Sequence, residues 1–246
     1  MPPVYRADLW RRHVTANHGR LDFAFATAAG FVGGTKVQRC GDVQLVEFWS
    51  DAVRYVRQPH FADRDADDGL RLLVPLSGEL LVRGPNSDRR VSPGVAAAVS
   101  MGRGFELEQQ RRARALILSI PSRLWEAAPP GDPSVWSLDH GSGAVFGAAL
   151  QEIAAQRARL DADSFVRACA FAALLVADSG SDEVDLAARA RTLVRQYSDD
   201  ADFDPAVLAQ RLGWSLRSIQ VALRRAGTTP ADLIRTQRLE RAAARL

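Results

Sequence analysis

Two hydrophobic periodicities divide the chain. Over residues 36–120, apolar and polar positions alternate in seven or eight short runs that end at turn clusters such as Ser92-Pro93-Gly94. No helical pattern separates these runs, and such spacing is typical of an antiparallel barrel or jelly roll. Helical spacing occurs before them, over residues 8–16, and again after Pro121. We therefore predict an α+β fold, in which an N-terminal antiparallel β-barrel with flanking helices is followed by an all-α module.

The first helices after the strands follow a proline-rich linker, residues 129–133. Residues 144–160 and 164–176 have helical spacing, and the second of these segments is apolar over most of its circumference. A helix with so little polar surface must be covered. Packing within the chain and a dimer contact both satisfy this requirement, and the sequence leaves the two open.

The C-terminal stretch predicts a helix-turn-helix. A first helix over residues 186–196 leads to a pair of short helices. Asp204 caps the first helix of this pair and Ser215 caps the second, and Gly213 lies in the turn between them. A last helix begins at Thr229-Pro230 and continues to Leu246. The alternative is an ordinary helical hairpin with a solvated basic face.

The second helix of the pair has one apolar and one polar face. Helical spacing turns Ile219, Ala222 and Leu223 inward. The outward residues include two arginines and a glutamine, and the whole outward set is Leu216, Arg217, Gln220, Val221 and Arg224. Such a helix fits a DNA major groove.

Charge is distributed unevenly. The 246-residue chain has a formal net charge of +3, with 47% hydrophobic and 25% charged residues. Residues 211–246 hold eight arginines against Asp232 and Glu240, which gives this segment a net charge of +6 and leaves −3 for the rest. Basic charge concentrated at one end is typical of a nucleic-acid-binding module.

The sequence offers little for catalysis, metal binding or membrane insertion. Cys40 and Cys169 have no CxxC partner, and the barrel segment after His60 contains no histidine, so we expect neither a metal site nor a cofactor. Nucleophile-elbow, P-loop and dinucleotide motifs do not occur, which argues against an enzyme. No apolar run of about 18 residues occurs and the N-terminus does not resemble a signal peptide, so we expect a cytoplasmic protein without a membrane segment.

The helix-turn-helix and the barrel together resemble AraC-type (AraC/XylS) transcription regulators. Residues 211–242 resemble the first helix-turn-helix and linker helix of that family. Residues 72–80, Val91-Ser92-Pro93-Gly94 and Gly104-Phe105-Glu106-Leu107 resemble the cupin-like effector domain of one branch. The resemblance covers residues 36–246. It implies an N-terminal segment (1–35), a cupin-like effector-binding barrel (36–122), a helical region that is a candidate for dimerisation (134–180) and an incomplete DNA-binding domain (184–246).

The resemblance also implies contacts to double-stranded DNA. The matching positions that reach base edges are Arg217, Gln220 and Val221, while Arg224 lies near phosphate. Arginine pairs with guanine and glutamine with adenine, whereas Val221 departs from the polar or basic side chain frequent in the family. The predicted DNA-binding set is Ser215, Arg217, Ser218, Gln220, Val221, Arg224 and Arg225.

The family joins two helix-turn-helix units through the linker helix, and this sequence ends inside that helix. Two base contacts give about 2–6 kcal/mol of discrimination, while a specific site needs about 4–10 kcal/mol over random DNA. We therefore expect a homodimer. The alternative is a truncated sensor and dimerisation protein without productive DNA binding.

The resemblance further implies an unidentified small-molecule effector inside the barrel. Three residues are candidate ligand contacts because they place aromatic or charged groups on apolar strands: Trp49, Arg54 and Tyr55. Core packing is the alternative explanation for the two aromatic residues.

Overall fold

The computed structural model describes residues 4–65, 67–125, 129–177, 182–212 and 214–243. Within these ranges the strands are β1 (Val4–Tyr5), β2 (Asp22–Phe25), β3 (Gly33–Cys40), β4 (Val43–Ser50), β5 (Val53–Arg57), β6 (Leu70–Ser77), β7 (Leu80–Arg83), β8 (Asp88–Val91), β9 (Val95–Ser100), β10 (Phe105–Gln109), β11 (Ala113–Ile120) and β12 (Ser134–Ser137). The helices are α1 (Ala7–His18), α2 (Pro59–Ala62), α3 (Gly141–Ala155), α4 (Ala162–Ala177), α5 (Asp182–Tyr197), α6 (Pro205–Leu212), α7 (Leu216–Arg225) and α8 (Pro230–Ala243).

The strands form two sheets. Seven strands follow the order β1-β3-β4-β11-β6-β9-β12, and five follow β2-β5-β10-β7-β8. Every pairing with a defined register is antiparallel, and the predicted α+β class is confirmed. The described strands outnumber the seven or eight predicted. Three of the additional ones, β1, β2 and β12, are two to four residues long and fall outside residues 36–122, because a segment this short does not show a period of two.

Two compact units are present, and residues 1–86 with 91–180 make up the first. One face of its seven-stranded sheet packs against α3 and α4, where Phe146, Leu150, Phe165 and Cys169 are fully buried. Burial raises the pKa of the Cys169 thiol to about 12, so this side chain remains protonated in the core.

The apolar helix α4 is covered on one side only. Its Cys169 side packs into the core of the first unit, while Phe171 is 61% exposed and Leu174 is 39% exposed. Intrachain packing therefore accounts for part of the apolar circumference of α4, and two large apolar side chains remain at the surface.

The second unit consists of residues 181–246 together with the four-residue segment Ser87–Arg90. Helices α5 to α8 enclose an apolar core, which includes Val194, Leu208, Ile219 and Leu223. Three side-chain caps begin these helices as the sequence predicts, because each oxygen satisfies a backbone N–H of the first turn. The distances are 2.8 Å from Val207 N to Asp204 Oδ1, 3.1 Å from Ser218 N to Ser215 Oγ and 3.1 Å from Asp232 N to Thr229 Oγ1.

Gly143 lets α3 approach β12. A Cβ atom at this position would lie 1.9 Å from the carbonyl oxygen of Ser137, which is a backbone atom and cannot move away cheaply. We expect Gly143→Ala to lower the free energy of unfolding by about 1–3 kcal/mol, as overpacking does. Gly131→Ala is the matched control, because nothing lies within 4 Å of a Cβ there. Urea denaturation measures both variants, and equal stabilities would contradict the close approach.

Candidate functional site

An apolar cavity of about 60 Å³ lies in the first unit. Helix α1 provides one part of its wall, and strands from both sheets provide most of the rest. The lining residues are Trp10, His13, Val14, His18, Leu21, Thr35, Val46, Phe48, Tyr55, Arg71, Leu73, Val99, Met101, Phe105, Leu107 and Ile117.

Helical spacing brings the α1 residues to the cavity. Trp10, His13 and Val14 lie at positions i, i+3 and i+4, so they share one face of the helix. The indole Nε1 of Trp10 donates a hydrogen bond of 2.9 Å to the Tyr55 hydroxyl, and its ring centroid lies 5.7 Å from that of Phe31. These contacts hold α1 against the strands.

Two histidines are among the few polar residues in the wall of the apolar cavity. The Nε2 atom of His13 and the Thr35 hydroxyl are 2.8 Å apart and share a hydrogen bond. Burial lowers the pKa of His18 to about 3, with the charges of Arg71, His13 and Arg39 adding to the effect. His18 is therefore neutral at neutral pH.

Arg71 places a buried charge in the wall of the apolar cavity. Its Nη2 atom forms an ion pair with Asp67, and Nη1 donates to the carbonyl oxygen of Leu70 at 3.3 Å. Burial lowers the pKa of the guanidinium, and Asp67 opposes that shift. Arg71 also lines a second, polar cavity of about 480 Å³. The residues lining this polar cavity are Thr15, Ala16, Asn17, Gly19, Arg39, Gly41, Asp42, Gln44, Asp67, Asp68, Gly69, Arg71, Ser119, Ile120, Pro121 and Arg123.

Of the three candidate ligand contacts, only Tyr55 lies in the lining of the apolar cavity. Trp49 is half-buried elsewhere, with the Arg112 guanidinium 5.4 Å from its ring centroid. Arg54 is exposed and pairs with Glu106 at 2.5 Å. Arg71 is not among the predicted contacts, although it is the one charged residue in the apolar run 70–74. The cavity face of α1 is not among them either, although the helical spacing of residues 10, 13 and 14 indicates it.

In the second unit, α7 presents a continuous outward face. Arg217 and Arg224 are exposed, while Gln220 and Val221 are half-exposed. Leu216 is also exposed at the start of the helix. Ile219, Ala222 and Leu223 are buried as predicted, so the outward set is fixed by the core.

Ser218 is placed differently from the other predicted DNA contacts. It is 6% exposed, and its hydroxyl accepts a hydrogen bond of 2.8 Å from Arg89 Nη1 and donates one of 3.2 Å to the carbonyl oxygen of Asp88. The Arg89 guanidinium lies 4.5 Å from the ring centroid of Trp214. Segment 87–90 therefore covers Ser218 within the second unit. Gly213 and the side chain of Arg225 lie outside the described residues.

The described part of the chain contains no group of three or more His, Cys, Asp or Glu side chains arranged to hold a metal ion. Nor does any helix in that part have the length and apolar character needed to cross a membrane.

The buried His18 makes stability depend on pH. Its pKa is about 3 in the folded chain and about 6.5 in the unfolded chain, so below pH 6.5 the unfolded state takes up a proton that the folded state does not. Between pH 7 and pH 5 this histidine lowers the free energy of unfolding by about 2 kcal/mol. We expect His18→Gln to lose less stability than the wild type over this interval, as measured by urea denaturation at both pH values. His60→Gln, at an exposed position, is the matched control. The same pH profile in wild type and His18→Gln would contradict the neutral buried imidazole.

Comparison with solved structures gives a near full-length match to the AraC-like transcriptional activator CuxR, at 17% identity and a TM-score of 0.60. The match covers 98% of this chain and 95% of that chain, and at this identity it shows the fold alone. The EutQ protein of Clostridium difficile matches 38% of this chain and 65% of its own, with 11% identity and a TM-score of 0.30, which is too low to carry an argument. A search among curated proteins finds no match.

The comparison with family models is more specific. The model described as the AraC-binding-like domain matches residues 10–179, which is more than half of the chain and includes most of α1, the strands β2 to β12, α3 and α4. The resemblance to AraC-type regulators is thereby confirmed. The chain belongs to the AraC-binding-like domain family, and its fold is similar over nearly its whole length to that of an AraC-like transcriptional activator.

Proposed function

We propose that this protein is a sequence-specific DNA-binding transcription regulator that senses a small molecule in its N-terminal barrel. The observation that carries the DNA-binding part is the outward face of α7. On this face two arginines, a glutamine and a valine follow each other at helical spacing on a helix capped by Ser215 and held by a buried core. The helix is therefore both rigid and polar where a major groove would receive it.

The residue types on α7 suggest how sequence is read. Arg217 lies in the first turn and is exposed, so its guanidinium can pair with guanine O6 and N7, while Gln220 can pair with adenine. Val221 supplies an apolar contact for a thymine methyl group. Arg224, one turn after Gln220, is exposed near the C-terminal end and suits a phosphate contact.

The apolar cavity supports the sensing part. It is enclosed by aromatic and aliphatic side chains, and a few polar groups converge on it from His13, His18, Tyr55 and Arg71. This combination is typical of small-molecule sites. Of the predicted ligand contacts, Tyr55 is the one we retain.

A homodimer supplies enough binding free energy to distinguish a specific DNA site from random DNA. Two good base contacts on one recognition helix supply about 2–6 kcal/mol of discrimination, which is marginal for a specific site that needs about 4–10 kcal/mol. Two copies of α7 double the contribution. The exposed apolar residues Phe171 and Leu174 on α4 are one helical turn apart and provide a surface through which a second copy can bind.

Arg217→Ala tests base readout by α7. We expect the variant to lose about 1–3 kcal/mol of affinity for DNA from upstream of its own gene, and much less for random DNA of equal length. Titration by fluorescence anisotropy at two salt concentrations measures both affinities. The salt series separates phosphate contacts, which are salt-sensitive, from base contacts.

Arg159→Ala, at an exposed position in the first unit, is the matched control for this loss of one positive charge. Equal loss on upstream and random DNA after Arg217→Ala would contradict base readout at this position. Equal and steeply salt-sensitive binding of both DNAs by the wild type would favour the alternative function, a sensor and dimerisation protein without productive DNA binding.

Phe171→Glu tests the dimer. A charge in the centre of an apolar contact typically costs at least about 2 kcal/mol, so we expect the variant to sediment as a monomer where the wild type is a dimer. Its binding to upstream DNA should weaken by at least about tenfold. Leu9→Glu, on the exposed side of α1, is the matched control. Dimers that persist in Phe171→Glu would show that α4 is not the interface.

A further inference from the structure

On the face of the seven-stranded sheet that lines the two cavities, one row of side chains is apolar and a neighbouring row is polar. In one row, Val46, Ile117 and Leu73 lie directly opposite each other on β4, β11 and β6, and all three line the apolar cavity. Two residues along each strand, the row is Gln44, Ser119 and Arg71, and all three line the polar cavity. Because successive residues alternate between faces, both rows face the same side of the sheet.

Two hydrogen-bond donors in the polar row have no partner. The Nε atom of Arg71 and the hydroxyl of Ser119 are both buried, and neither makes a hydrogen bond within the described part of the chain. Arg71 is 8% exposed and Ser119 is 4% exposed. Their Cα atoms are paired across β6 and β11, so their Cβ atoms lie about 5 Å apart. A buried donor without an acceptor is costly, and one acceptor group placed between them would satisfy both.

Several neighbouring polar groups already make hydrogen bonds or ion pairs. Gln44 accepts from Arg39 Nε at 2.8 Å and donates to the carbonyl oxygen of Asn17 at 3.2 Å. The two terminal nitrogens of Arg71 bind Asp67 and the Leu70 carbonyl. At the exposed rim, Arg123 pairs with Asp42 at 2.8 Å. Arg39 pairs with no carboxylate within the described residues and adds a positive charge near the open donors.

We propose that the effector is a monocarboxylic acid with a compact apolar tail. Its two carboxylate oxygens accept hydrogen bonds from Arg71 Nε and the Ser119 hydroxyl, and its tail occupies the apolar cavity, which Arg71 also lines. This inference rests on the proposed sensing function and specifies the ligand of that site.

The number of unpartnered donor atoms and the size of the apolar cavity indicate the chemical class of the effector. The two donor atoms that make no hydrogen bond match the two oxygens of a carboxylate, whereas a phosphate brings a third oxygen and further negative charge close to Asp67. A water-sized group needs about 10–15 Å³, so a cavity of about 60 Å³ holds roughly four to six such groups. The five carbons that follow the carboxyl group of hexanoate fill this space, and the nine of decanoate exceed it.

Binding of simple acids to the full chain tests this inference without DNA. Isothermal titration calorimetry at pH 7 would compare acetate, butanoate, hexanoate and decanoate with hexanamide and hexan-1-ol. We expect saturable binding with an optimum at hexanoate, and at least about tenfold weaker binding of the amide and the alcohol, because they lack the charge-assisted hydrogen bonds. Ser119→Ala should weaken hexanoate binding by about tenfold. Ser100→Ala, a buried serine on β9 outside both linings, should leave it unchanged.

Any of four results would overturn the inference. Equal affinity for hexanoate and hexan-1-ol would show that the polar row does not read a carboxylate. Equal affinity for acetate and hexanoate, or competition by inorganic phosphate, would show an anion site without a tail pocket. No saturable binding by any acid would remove the site. Acid binding without DNA binding would contradict the proposed DNA-binding function and leave the carboxylate site standing. Sequence-specific DNA binding without acid binding would contradict the carboxylate site and leave the DNA-binding function standing.

Discussion

Burial on both faces constrains the seven-stranded sheet, and the rest of the first unit depends on it. One face packs against α3 and α4 around Leu118, Phe146 and Phe165, and the other lines the two cavities. A sheet covered on both sides requires nearly continuous apolar strands, which explains why the run at residues 70–74 carries a single charge. That charge, Arg71, is tolerated because Asp67 and the Leu70 carbonyl bind its terminal nitrogens, although a buried ion pair of this kind adds little net stability. Its position opposite Ser119, on the face that lines the cavities, is the basis of the effector site proposed above.

The α+β class, the order of strands and helices, and the capped helices of the second unit follow from the sequence. They are encoded locally, in periods of two or 3.6 and in capping residues such as Asp204, Ser215 and Thr229. The short strands β1, β2 and β12 do not follow from it, because two to four residues show no period and their pairing depends on partners distant in sequence. The domain boundaries and the individual DNA contacts stay predictions.

The cavity residues are likewise only partly predictable from the sequence. Tyr55 is recognisable as an aromatic residue on an apolar strand, but Trp49 and Arg54 fit the same description and lie elsewhere, since the direction of a side chain depends on register. Arg71 and Ser119 become a pair only through the β6–β11 register, although 48 residues separate them in the sequence. In the same way, Ser218 is a typical recognition-helix residue by position, and its burial depends on Arg89 and Asp88, which are distant in sequence.

Helix α1 contributes a large part of the cavity wall from one short segment. It supplies Trp10, His13, Val14 and His18 to the wall of the apolar cavity, all from one helical face within twelve residues. The strands that form the remaining wall also build the core on their other face, so a substitution there affects folding as well as recognition. The opposite side of α1 is solvated, and of its inward residues Trp10 also anchors the helix through Tyr55. If the apolar cavity is the effector site proposed above, substitutions at the other inward positions of α1 can change its chemical preference while the sheets stay constant.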